Sequence, residues 1–186
     1  MAAEDFSVIG IDMPMGLPDG EARQCEPAAR RLISPRGSTI FPTPSRACLD
    51  ARDYADACAI SRAATGKAIS KQAWHILPKI RELDTALSVA DHERVIEVHP
   101  ECSFAAMNGG RVLPSKRTAD GLAQRRALTT THFGPTPSAL AGARIDDILD
   151  AYAVLWTAER FARGLHLEIP DRRQHDSRGI PMRIVV

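Results

Sequence analysis

The sequence predicts an α/β fold built around a largely parallel sheet. Two short apolar runs, at residues 6–11 and 94–99, are typical of buried strands. Segments with helical composition follow each run, and strands that alternate with helices form layered α/β structures. With 44% hydrophobic and 25% charged residues, the 186-residue chain has an ordinary globular composition. The simplest organisation is one domain, residues 1–186.

The first half of the chain contains one predicted strand, at residues 6–11, and several helices. Gly66 is a predicted helix end, and Pro78 is expected to divide a helical segment into two pieces. The segment 34–46 contains three prolines and one glycine, which predicts an irregular loop. The helices of this half are predicted at 20–33, 50–65 and 69–87.

The second half begins with the strand RVIEVH, residues 94–99, in which Glu97 and Ile96 lie on opposite faces. Pro100 opens a short helix that Gly109 closes. Two or three strands are few for so many helices, so either strands are hidden or the sheet is completed by another chain or by residues absent from this sequence. Further helices are predicted at 118–133 and 145–163, and a final strand at 181–186. The predicted core face of the helix at 145–163 consists of Ile148, Leu149, Tyr152, Leu155 and Trp156.

Charge and cysteine content exclude several classes of protein. A net charge of +1 creates no global field that attracts nucleic acid. The four cysteines form no C-x-x-C pair, which argues against a zinc ribbon or a disulfide scaffold and favours a reducing cytoplasm. The N-terminus lacks a basic region and a long apolar run, so we predict a cytoplasmic protein with no membrane partner.

Acidic residues gather where the predicted strands and the last helix meet. Asp12 ends the first strand, Glu97 and Glu101 lie in and after the second, and Asp147 and Asp150 open the helix at 145–163. Ligands of open α/β sheets bind at the carboxyl ends of strands. Converging carboxylates repel one another unless a cation neutralises them, and oxygen ligands suit Mg²⁺ or Mn²⁺. We therefore predict that these five acids form a site for one of these ions.

Each of these acids also has a structural interpretation. Acidic residues in a first helical turn are favoured by the helix dipole, and Asp146 is a candidate N-cap. Glu97 lies among apolar residues, where an ionised carboxylate needs a partner, and an arginine would serve as well as a metal. His99 is equally consistent with a hydrogen-bonded structural histidine.

Basic and hydroxyl side chains on the proline-rich loop suit phosphate oxygens, although a solvated loop would look the same. Lys71 and Gln72 flank Trp74, whose indole is either a stacking surface for a base or part of the core. Arg125 and Arg126 are expected on a solvated helix face. No nucleic-acid-reading module is recognisable, so only binding without sequence preference is predicted. The predicted substrate-binding residues are Arg36, Thr43, Arg46, Lys71, Gln72 and His99.

Five motifs cover nearly the whole chain and, in this order, resemble domain-of-unknown-function family 429, whose members are described as predicted ribonuclease H-like nucleases. The resemblance implies a ribonuclease H-like three-layer fold with an inserted helical segment, and a metal-dependent nuclease or phosphodiesterase. By motif it implies that Asp12, Glu97, Asp147 and Asp150 are catalytic, and that Glu101 joins them as a metal ligand. The motifs are VIGIDMPMGLPDGEARQCEPAARRLI, SPRGSTIFPTPSR, TGKAISKQAWHILPKIRELD, VIEVHPECSFAAMNG and IDDILDAYAVLWTAERFARG.

The sequence departs from the family pattern before Asp12. Family members begin with a strand and hairpin that carry another aspartate, whereas IDMP here starts at residue 11. The resemblance therefore implies a fold that is truncated at this hairpin and binds metal weakly. It also implies an uncovered sheet edge, which a homodimer would cover through Val8, Ile9 and Ile11 or through residues 182–186. One alternative function is a non-catalytic binding protein. The other is a phosphotransferase, but against it the sequence has no glycine-rich motif of the kind that cradles phosphate.

Overall fold

A computed structural model describes residues 6–186 of the protein and shows a mixed α/β fold. Within these residues, no helix is both long enough and apolar enough to cross a membrane. The strands are β1 (Ile9–Ile11), β2 (Val95–Glu97), β3 (Glu168–Ile169) and β4 (Ile184–Val185). The helices are α1 (Cys25–Leu32), α2 (Tyr54–Thr65), α3 (Lys71–Ala86), α4 (Pro100–Met107), α5 (Ala119–Phe133) and α6 (Ile145–Ala162).

The strands form two small ladders that meet at the end of β2. β1 and β2 are parallel, and Ile11 lies opposite Glu97, whereas β3 and β4 are antiparallel. A parallel bridge between Val98 and Val185 places β4 beside the end of β2. The predicted strands near residues 9 and 95 and in the tail are confirmed, and the sequence missed β3 because two residues carry no periodic signal.

The outer edge of β1 has no strand partner among residues 6–186. The backbone of Ile9 and Ile11 bonds to β2, with 2.7 Å from Ile9 N to the Arg94 oxygen and 2.9 Å from Val98 N to the Ile11 oxygen. Because alternate residues of a strand bond to opposite sides, the N–H and C=O of Gly10 face away from β2. The tail lies on the other side of the sheet centre, next to β2, and does not cover this edge.

Gly10 sets the distance between β1 and α6. A Cβ atom at this position would lie 2.6 Å from Cγ1 of Val154, closer than real Cβ contacts come. Val8 packs in the same layer as Val154 and the β2 residue Ile96. Asp150 precedes Val154 by one helical turn and therefore lies on the same face of α6, beside the end of β1.

Helices α2 and α3 pack together as a helical segment inserted between β1 and β2. The predicted break at Pro78 is wrong, because α3 runs unbroken from Lys71 to Ala86. Leu77 and Ile80, on either side of the proline, are both buried and hold the helix against the core while the proline itself is exposed. Gly66 does end α2, with φ of 75°.

Two further predictions about helix faces are corrected by the packing. Arg125 was expected in solvent but is fully buried, because its side of α5 faces α4. Leu155 belongs to the predicted core face of α6 but is 44% exposed, since the sheet ends at β1 and leaves that part of the helix uncovered. Helix α1 begins at Cys25, so Arg23 lies before it and its side chain turns into the protein.

Candidate functional site

A cavity of about 610 Å³, the strand-end cavity, opens at the carboxyl ends of β1 and β2. Its wall also includes the start of α4, the first turns of α6, the α3 residues Gln72 and Ile76, and the loops at 36–43 and 115–117. Eight of the predicted site residues line it, and Asp147, Arg46 and Lys71 do not. The eight are Asp12, Arg36, Thr43, Gln72, Glu97, His99, Glu101 and Asp150.

Asp12 is the acid that is most open to the cavity. Its side chain reaches solvent at the cavity mouth. Protein atoms on its other sides remove much of the surrounding water, and the nearby Asp150 carboxylate adds repulsion; together they raise the pKa of Asp12 from 3.8 to about 7. Lys116 opposes this rise, but no residue among 6–186 forms a hydrogen bond with the Asp12 carboxylate.

Asp150 is held by Lys116, whose Nζ lies 2.5 Å from its Oδ2 and 3.7 Å from Oδ2 of Asp146. Burial raises the pKa of Asp150, and the ion pair with Lys116 opposes that rise. Asp147 points elsewhere: it is exposed and accepts a 3.4 Å hydrogen bond from the backbone N–H of Arg144 at the start of α6. Asp150 thus faces the cavity while Asp147 serves as part of a helix cap.

A second recess, the β1 groove, lies between the outer edge of β1 and α6 and has a volume of about 530 Å³. Asp12 and Asp150 border both the groove and the strand-end cavity, and Asp147 borders the groove alone. The rest of the groove is apolar. Its lining residues are Val8, Gly10, Ile11, Asp12, Asp147, Asp150, Ala151, Val154, Leu155 and Ala158.

Glu97 is buried against Arg23, so the arginine partner that the sequence left open is present. Arg23 Nη1 donates to Oε1 of Glu97 at 3.2 Å, and its Nη2 makes a closer ion pair with Oε2. The backbone N–H of Met15 donates to the same Oε2 at 2.7 Å. Arg23 also donates to Oγ1 of Thr43 at 3.0 Å and lies 3.8 Å from Glu26. These bonds tie Glu97 and Thr43 into the cavity floor.

Glu101 is held in the same way by Arg125. Both carboxylate oxygens accept from Nη2 of Arg125, at 2.8 and 2.6 Å. The other end of the guanidinium donates to the carbonyls of Pro114 and Gly121 at 2.8 and 2.7 Å. A buried carboxylate with such charge-assisted bonds is neutralised by the protein itself. Glu101 therefore joins α4 to α5.

Arg36 and His99 retain unused polar atoms at the cavity wall. Nε of Arg36 and Nδ1 of His99 are buried without a hydrogen-bond partner among residues 6–186. The carboxylate nearest to Arg36 is Glu101, at 3.7 Å, which Arg125 already occupies. Burial lowers the pKa of His99, against the pull of Glu101, and favours its neutral form.

Arg46 and Lys71 lie outside the cavity. Nη1 of Arg46 lies 2.6 Å from Oδ2 of Asp84, and its Nη2 forms a close ion pair with the buried Asp176. Lys71 is exposed at the first residue of α3. Trp74 packs against Tyr54, with 6.2 Å between ring centroids, which supports the core alternative for its indole.

Sequence reasoning missed several residues of the site, of which four have cationic or aromatic side chains. Arg23, Phe41, Lys116 and Arg117 all line the cavity. Lys116 and Arg117 stand together in the short segment LPSKRT between two helices, a basic pair on a loop that could have been selected. Arg23 and Phe41 have no such signal, because their roles depend on contacts with residues far away in the sequence.

The acids of the cavity do not form a ready metal centre. Among residues 6–186 there is no group of three or more His, Cys, Asp or Glu side chains arranged to hold a metal ion. Arginines occupy Glu97 and Glu101, whereas Asp12 and Asp150, which lie close enough to repel each other, have no arginine partner among residues 6–186. Two carboxylates fit Mg²⁺, which commonly takes one or two from the protein and completes its shell with water and substrate phosphate.

Comparison with known proteins identifies the family alone. Neither the curated proteins nor the solved structures compared with the chain include a match. One family model matches residues 1–175, and its description is "Protein of unknown function (DUF429)". Since the match covers almost the entire chain, the protein belongs to the DUF429 family.

Proposed function

We propose that the protein is a metal-dependent phosphodiesterase of ribonuclease H-like fold that cleaves nucleic acid without sequence preference. The observation that carries this proposal is the pair formed by Asp12 and Asp150, which meets at the ends of β1 and α6 within a cavity rich in cationic side chains. Carboxylates next to cationic side chains suit a reaction in which a divalent ion and a phosphate bind together. The family resemblance points the same way.

In this proposal Asp12 and Asp150 hold Mg²⁺ or Mn²⁺, with Asp147 nearby on the groove side. The bound ion would neutralise charge on the phosphate and activate a water molecule. Lys116 already lies against Asp150 and offsets part of the repulsion between the two acids. Arg36 and Arg117 line the same cavity and supply positive charge for the phosphate oxygens. Glu97 and Glu101 act indirectly by fixing the cavity wall.

Cleavage of a mixed panel of DNA and RNA with Mn²⁺ tests the proposal directly. We expect cleavage by the wild-type protein and a loss of at least about 100-fold in Asp12→Asn, because a metal ion supplies several kcal/mol of transition-state stabilisation. Asp171→Asn, which makes the same change on an exposed loop, should keep full activity. Binding without cleavage would support the non-catalytic alternative, and ATP turnover would support a phosphotransferase.

The uncovered edge of β1 supports a homodimer as part of the same proposal. No strand among residues 6–186 pairs with the backbone groups of Gly10 there, and Leu155 exposes an apolar side chain in the adjoining groove. Such edges pair readily with a second chain. The tail offers no comparable surface, since Ile184 and Val186 are buried. Light scattering at micromolar concentration should give about twice the chain mass, and a mass near 20.2 kDa would contradict the dimer.

A cytoplasmic location is part of the proposal as well. All four cysteines are buried and free, which is typical of proteins that work in a reducing compartment.

A further inference from the structure

The size of the strand-end cavity restricts what can be enclosed in it. Its volume of about 610 Å³ lies within the range of sites that enclose small molecules, about 300–1,000 Å³. Phosphates of a duplex lie on a convex surface backed by paired bases, whereas the cavity is concave and bounded by loops and helices on several sides. A space of this volume suits a single nucleotide unit better than a paired segment.

One wall of the cavity is built to receive an anion. Arg36 and His99 each have a buried nitrogen without a partner among residues 6–186, and both side chains line the cavity. A buried donor that lacks a hydrogen bond destabilises the protein, and an acceptor from a ligand would remove this penalty. Since Arg125 already binds both oxygens of Glu101, the guanidinium of Arg36 is not needed to neutralise that acid.

Another part of the cavity lining is apolar and carries one amide. Phe41 and Ile76 are half-buried residues that line the cavity. Phe41 also packs against the apolar cluster between α2 and α3. Gln72 precedes Ile76 by one turn of α3 and also lines the cavity. An aromatic ring supported from behind is a stacking surface for a base, and a neighbouring amide can donate to and accept from the edge of the base.

We propose that this cavity binds one nucleotide at the free end of a single strand, with its phosphate against Arg36 and His99 and its base on Phe41. This inference rests on the phosphodiesterase proposal for the choice of ligand class. It adds the requirement for an unpaired end and gives the loop at 36–43 and helix α3 the role of recognising the ligand.

Calorimetric titration in EDTA separates binding from cleavage. The probes are a 5′-phosphorylated dinucleotide, ribose 5-phosphate and a blunt-ended duplex. We expect the dinucleotide to bind most tightly, and Phe41→Leu, which keeps much of the packing, to weaken it by about 5- to 150-fold, the range measured for loss of a base–aromatic stack. Ribose 5-phosphate should bind equally to the wild type and Phe41→Leu, whereas Arg36→Met should weaken both small ligands. Phe6→Ala, an exposed aromatic outside the cavity, is the matched control.

Three results would overturn the inference: duplex binding as tight as dinucleotide binding, an equal loss of both small ligands in Phe41→Leu, or no binding of either small ligand. The outcome is independent of catalysis. Tight dinucleotide binding without cleavage in Mn²⁺ would remove the phosphodiesterase and keep the nucleotide site. Cleavage within duplexes that needs no free end would support the phosphodiesterase and contradict the nucleotide site for a free strand end.

Discussion

Four acids of the strand-end cavity form two groups that differ in their partners. Glu97 and Glu101 form the locked pairs, each bound by a fully buried arginine. Asp12 and Asp150 form the open pair: Lys116 binds Asp150, whereas Asp12 has no ion-pair partner among residues 6–186, and both acids line the cavity. Carboxylates that look alike in the sequence therefore have two different roles. The locked pairs stabilise the wall of the cavity, and the open pair remains available to a ligand.

Strand alternation explains why Asp12 and Glu97 differ. Ile11 lies opposite Glu97, so Asp12 lies level with Val98, whose side chain packs on the α6 layer. Successive side chains of a strand point to opposite faces. The Asp12 carboxylate therefore lies on the face of the sheet that packs against α6. Glu97 points to the opposite face, where Arg23 donates a hydrogen bond to it.

The largest effect is expected from removing a cation of the locked pairs. Arg125→Met leaves the buried carboxylate of Glu101 without its partner, which typically costs about 3–5 kcal/mol. Urea denaturation measures this loss in the free energy of unfolding. Arg126→Met is the control: this neighbour is only half-buried, and its replacement should change stability by no more than about 0.5 kcal/mol. Equal effects of the two changes would show that Glu101 is not locked.

A smaller effect is expected from moving the two members of the open pair apart. Gly10→Ala places a methyl group against Val154 and should push α6 away from β1, with a loss of about 1–3 kcal/mol in stability. Thermal or urea unfolding measures it. Gly10→Ala combined with Val154→Ala removes the clashing methyl and should recover much of the loss; no recovery would mean that the strain arises elsewhere.

Divalent metal should stabilise the protein weakly through the open pair. Since two carboxylates make a poor site without substrate, Mn²⁺ should raise the melting temperature little at micromolar and measurably at millimolar concentration, with about 1.4 kcal/mol gained at ten times Kd. Asp12→Asn should remove the shift, whereas Asp171→Asn should retain it. A full shift at micromolar Mn²⁺ would contradict the two-ligand site.

The smallest effect is expected from pH, because the Asp12 side chain is exposed and water screens its interactions. The pKa of Asp12 is about 7 in the folded protein and 3.8 as its ordinary value, so between these values the folded state binds more protons than the unfolded state. The contribution of Asp12 to stability must then fall as pH rises from about 4 to 7. Relative to Asp12→Asn, the wild type should lose stability across this window in urea titrations without metal. If the difference in stability between the two proteins does not vary with pH, the pKa of Asp12 in the folded protein is close to its ordinary value.

By itself the sequence determined the α/β class, most element positions and the set of acids near the strand ends. These follow from local patterns: apolar runs for β1 and β2, helical periodicity for α5 and α6, and single acids placed where strands stop. Family membership also follows from motifs that can be read along the chain.

Only the tertiary structure decided which acids are free. Arg23 reaches Glu97 across 74 positions and Arg125 reaches Glu101 across 24, and no local pattern specifies such pairings. Local propensity predicted a break at Pro78, but packing on both sides of the proline keeps α3 continuous. Pairing of charges and burial depend on residues brought together by the whole fold, whereas periodicity depends on neighbours in the chain.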